Sequence, residues 1–158
     1  MDIARLRRTL TRARFRPPAR FQTSMNPSTQ LIERYYAAFN AAEWETFFGL
    51  LTEDVAHDIN QGARESGKAA FRAFIARMNR SYREQIVDIV IMSNADGSRA
   101  AAEYVVLGTY LATDEGLPEA HGQTYRLPGG AFFDIRDGKV ARVTNYYNLE
   151  DWLRQVGA

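Results

Sequence analysis

The segment "SYREQIVDIVIMSNADGS", residues 81–98, decides the architecture. Before it, apolar residues recur every three or four positions. Here they give way to a β-branched run that ends in the turn formers Asn94, Asp96 and Gly97. The upstream spacing predicts three helices. Leu31, Ile32, Tyr35, Tyr36 and Phe39 mark one over 28–40, and Trp44, Phe47, Phe48 and Leu51 mark a short one over 43–51. Ser66-Gly67 opens the third, with Phe71, Phe74, Ile75 and Met78 on one face. Between the second and third, residues 55–61 read as a short strand. Downstream, "RAAAEYVVLGTYLATDEG" (99–116) reads as a long strand with Gly108 as a bulge or bend. "QTYRLPGGAFFDIRDGKVARVTNYYN" (123–148) reads as a hairpin turning at Arg136-Asp137-Gly138, and "LEDWLRQV" (149–156) as a closing helix. Helices followed by four long antiparallel strands argue for an α+β fold. A curved antiparallel sheet wrapped around three N-terminal helices makes a cone with one open end, which is a natural ligand pocket.

A chain of 158 residues suits one domain with a sizeable core. Its lack of cysteine excludes disulfides, thiolate metal sites and cysteine nucleophiles. With His57 and His121 as its only histidines, no metal site is expected, and no cofactor. There is no apolar run of membrane-spanning length, no phosphate-binding glycine loop and no nucleophile elbow. A cytoplasmic location is the expectation. Residues 1–26 form a separate basic extension with seven arginines against one acid, Asp2. It reads as disordered or as lying upstream of a natural start at Met25; organelle import is an alternative. A nucleic-acid arm is disfavoured, because only Phe15 and Phe21 accompany the seven arginines, too few aromatics for a strand-binding platform. The domain proper is expected over 27–158, with Asn26 capping the first helix and Pro27 in its first turn.

The candidate site lies in "VAHDINQGARESGK", residues 55–68. Strand alternation sends His57 and Asp58 to opposite sides, so one faces the cavity. Asn60 shares the Asp58 side. On the last strand Val143, Asn145 and Tyr147 share one face, and Arg142, Thr144 and Tyr146 the other. Glu103 shares a face with Val105, Leu107 and Thr109; a carboxylate there marks either the cavity or a solvated strand side. Gly129-Gly130 removes bulk where a ligand or backbone can approach, or marks a bulge.

Over residues 29–156 the chain resembles the nuclear-transport-factor-2-like superfamily, a cystatin-like α+β roll. Within it the chain is similar to the ketosteroid isomerase and SnoaL-like polyketide cyclase group. "HDI" stands where the isomerases carry a general-base aspartate, and Gly67 follows nine residues later. The resemblance therefore implies Asp58 as the base, Tyr35 as a hydrogen-bond donor to the substrate oxygen and Tyr147 as a pocket aromatic. The isomerases' second oxyanion donor, an acid, falls on Gly129 or Gly130, where no carboxyl exists; Asn145 is the neutral stand-in. His57 is the alternative base. The resemblance implies isomerase- or cyclase-type acid–base chemistry on a small hydrophobic carbonyl compound, and a homodimer paired through the open face of the sheet. A non-catalytic small-molecule-binding domain and a limonene-type epoxide hydrolase are the competing expectations.

Overall fold

In a computed structural model, which describes residues 26–59 and 62–157, the chain enters its first helix at Asn26. The Asn26 side chain accepts from the Ser28 amide at 2.9 Å, and Pro27 occupies the first turn. The basic extension before it lies outside the described residues, as does Asn60. Helix α1 (Pro27–Asn40) buries Leu31, Ile32, Tyr35 and Tyr36; α2 (Trp44–Gly49) buries Phe47 and Phe48. Strand β1 (Leu51–Ile59) leads through the short β2 (Arg64–Ser66) into α3 (Lys68–Ser81), which buries Phe71 and Ile75. Four long strands follow: β3 (Tyr82–Ser93), β4 (Arg99–Tyr110), β5 (Thr124–Arg136) and β6 (Lys139–Tyr147). Helix α4 (Leu149–Val156) ends the fold, capped by the Asn148 side chain. No helix among the described residues is long and apolar enough to cross a membrane.

The six strands form one sheet in the order β2-β1-β6-β5-β4-β3, an α+β arrangement in which the curved sheet packs its inner face on the helices. The β5–β6 turn has positive φ at Asp137 and Gly138, as a tight two-residue hairpin requires. Three expectations are corrected. The first strand starts at Leu51, four residues earlier than its polar passage suggests, and pairs with β2 as a hairpin that the sequence did not announce. The sheet is not wholly antiparallel, because β1 runs parallel to β6. Gly108 is no bulge, since β4 keeps regular register on both sides of it. The bulge falls in β3, where the register shifts between Val87 and Val90 around Asp88 at φ 53°. That extra residue turns Ile89 and Ile91 inward and leaves Val90 and Met92 exposed.

Candidate active site

Between α1, α3 and the inner face of the sheet lies a cavity of about 680 Å³, walled largely by aromatic and aliphatic side chains. This size suits a small organic ligand. His57 forms part of the wall. It is 1% exposed, stacked on Phe71 at 4.2 Å between ring centroids and met edge-on by Phe74. Strand β6 places Asn145 beside it, with the amide nitrogen 3.3 Å from Nε2. The Tyr104 hydroxyl of β4 lies 3.4 Å from both the Asn145 Oδ1 and the Gly130 carbonyl oxygen, and the Asn145 amide turns its N–H₂ towards the histidine. Nε2 is then the accepting nitrogen and the ring proton sits on Nδ1. Facing Nδ1 is Glu65, directly opposite on β2, with Oε2 at 3.8 Å. Burial pushes the His57 pKa below its ordinary value, partly opposed by the Glu65 charge, so the ring is neutral at pH 7.

Asp58 points the other way. On the outer side of β1 it takes a two-pronged ion pair from Arg64, at 2.6 and 2.9 Å, and a hydrogen bond from Thr144. The Arg64 hydrogen bonds hold its carboxyl below the usual carboxylate range. The inward-facing aspartate that the resemblance implies is therefore corrected. Outside, arginines and a hydroxyl meet a carboxylate, whereas inside it would face Phe71 and Phe74. Glu103 is corrected likewise, as it lies on the exposed side of β4. Tyr35 does line the cavity, packed among Tyr36, Phe47 and Phe133, and burial raises its pKa. It does not meet Asp58. Asn145 and Tyr147 both line the cavity, as the alternation along β6 requires.

A second carboxyl group went unnoticed in the sequence. Glu84 of β3 lines the cavity and accepts a hydrogen bond from the Tyr125 hydroxyl at 2.5 Å. Desolvation raises its pKa, with the Tyr125 bond opposing. The signal was the one applied to Glu103: Tyr82, Glu84 and Ile86 alternate onto one apolar face. Glu84, Gly108 and Tyr125 lie abreast on three adjacent strands. A β-carbon at Gly108 would come within 2.0 Å of the Tyr125 side chain, so the missing side chain is what lets the phenol cross β4 to Glu84. Gly129 repeats the device. A β-carbon there would come within 2.9 Å of Tyr104, whose ring crosses towards Asn145.

Residues 32–143 match the model of a SnoaL-like domain. Among curated proteins, none matches the chain. A solved candidate polyketide cyclase from Pseudomonas putida is 66% identical, with a TM-score of 0.80 over 82% of this chain and 97% of that one. A second, from Xanthomonas campestris, is 60% identical at the same TM-score, over 82% and 96% of the two chains. A candidate ketosteroid isomerase from Kribbella flavida is 28% identical, with a TM-score of 0.56 over 77% and 78%.

Proposed function

The chain belongs to the SnoaL-like domain family, and from that premise we propose that its cavity performs cofactor-independent acid–base chemistry, of isomerase or cyclase type, on a small hydrophobic carbonyl compound. One observation carries this reading: His57 stands in the apolar wall of the cavity, with Nε2 against the Asn145 amide and Nδ1 towards Glu65. When a substrate oxygen draws the Asn145 amide away, the Nε2 lone pair of this neutral imidazole is released to remove a proton from the carbon next to the carbonyl. The C–H pair becomes the enolate double bond, and the carbonyl π pair moves onto oxygen. The free N–H of Asn145, and Tyr35 from α1, are the donors nearest in role to an oxyanion hole. Return of the proton from His57 to another carbon completes an isomerisation. Attack of the same carbon on a second carbonyl, whose oxygen takes the proton, completes an aldol ring closure. Glu65 faces the imidazolium that forms in between, and Arg77 pairs with Glu65 at 3.6 Å.

The test is deuterium uptake from heavy water into the α-carbons of a panel of cyclic enones and diketones, followed by proton NMR. His57→Ala is expected to lower the rate by about 10²–10⁴-fold, and Asp58→Asn to leave it unchanged. An undiminished rate in His57→Ala overturns the mechanism. Thermal stabilisation by these compounds with no exchange favours a non-catalytic binding domain instead. Activity should fall on the acid side as Nε2 becomes protonated, with a midpoint below the ordinary histidine value of about 6.5 because burial favours the neutral ring.

We also propose a homodimer. Val90, Met92, Leu107, Phe132 and Tyr146 stand exposed on strands β3 to β6, an apolar strip suited to cover by a second copy.

A further inference from the structure

We propose that Glu84 and Tyr125 form a second ligand-binding terminus of the cavity, remote in the sheet from His57, and that the ligand is a ring-bearing apolar molecule with a hydroxyl or carbonyl oxygen at each end. This rests on the cavity being the ligand site, as proposed above, but not on His57 acting as a base. His57 lies on β1 and Glu84 on β3, at the opposite edge of the sheet, and both line the one cavity. The same cavity wall carries Tyr36, Tyr104 and Tyr147.

The pair is built for a purpose that packing does not explain. A carboxyl group is costly in an apolar wall, and a leucine would fill the space without that cost. Yet the fold supplies a phenol to meet it, and leaves out a side chain at Gly108 so that the phenol can reach. Tyr125 bonds one carboxyl oxygen, Oε1, and no other described residue bonds the group. The remaining oxygen is therefore free to engage a ligand. Desolvation favours the protonated acid, which can donate to a carbonyl oxygen as well as accept from a hydroxyl. The two polar ends thus have different tastes: the His57 end has the accepting Nε2 and the Asn145 amide, and the Glu84 end has an acid.

Calorimetric titration of the full chain with naphthalen-2-ol and naphthalene-2,6-diol tests this. The second hydroxyl is expected to improve affinity about three- to tenfold, the worth of one net hydrogen bond. Glu84→Gln should keep that preference and Glu84→Leu should abolish it, while His57→Ala weakens both compounds and leaves the dependence on Glu84 in place. If Glu84→Leu does not fold, the side-chain carboxyl ¹³C resonance of Glu84 decides. It should move on titration with the diol and stay fixed with naphthalene. No preference in the unsubstituted protein, absence of binding included, overturns the proposal, as does a preference that survives Glu84→Leu or a resonance the diol does not move. Because no readout requires turnover, failure here is distinct from failure of the exchange assay.

Discussion

Asp58 is held by protein side chains, and its pKa carries a consequence for stability. Its carboxyl belongs to a polar ladder across the outer face: Arg64, Asp58, Thr144, Arg142, Asp134 and Arg99. Asp58 and Asp134 are both held below the usual carboxylate range, first by hydrogen bonds from Arg64 and Arg142 respectively. A depressed carboxylate pKa contributes stability that is present above the unfolded value, about 3.9, and lost as pH falls through the folded one. Asp58→Asn should therefore lower thermal stability near pH 7 by no more than about 1 kcal/mol, and the difference should begin to shrink at about pH 4 and vanish only below the depressed folded value. Melting curves of both proteins across pH check this. Buried His57 acts in the same direction at a higher pH. The unfolded ring takes a proton near pH 6.5 while the folded one resists, so stability also declines as pH drops below that value. That His57 and Asp58 face opposite ways was legible from strand alternation alone. Which of them faces inward was not, because the partners that decide it lie on β2, β6 and α3, brought there only by the fold.

The first three helices were legible from their apolar spacing, and β3 from its β-branched run, because those signals are local. Pairing was not. Glycine in a strand signals either a bulge or a close approach, and Gly108 turned out to be the second. Gly108→Ala should destabilise the protein by about 1–3 kcal/mol, the usual cost of overpacking. Much of that cost should return in a Tyr125→Leu background, where the ring no longer crosses β4. A double-mutant cycle by chemical denaturation measures the coupling, and strict additivity would show that the ring does not depend on the gap. Helix α4 shows the same limit. Its sequence announces a helix, but not that Trp152 packs edge-on against Tyr110 and Tyr125 beside the Glu84 end of the cavity. Trp152→Ala is expected to cost about 3–5 kcal/mol and to weaken naphthalene-2,6-diol binding, read by calorimetry.

At the scale of the molecule, the α+β class and the cone were legible in the order of elements; that Val90 and Met92 join the exposed residues on the sheet's outer side was not, because the β3 bulge resets which residues of that strand face out. Phe132 and Tyr146 meet edge-to-face at 5.6 Å on that side and are each about half exposed. If the strip is the dimer contact, Phe132→Glu should shift the protein from dimer to monomer in sedimentation without altering ligand binding in the cavity. Sedimentation as a monomer before substitution would remove the dimer. The parallel β1–β6 pair could not be read locally, since 88 positions separate His57 from Asn145. During synthesis on the ribosome, β1 emerges early and has only β2 beside it. Its other edge stays open until the last strand has been made, and an open edge invites pairing with other chains. A nascent chain stopped after β5 should therefore aggregate and lack the site, and the last strand to leave the ribosome both closes the sheet and completes the pocket.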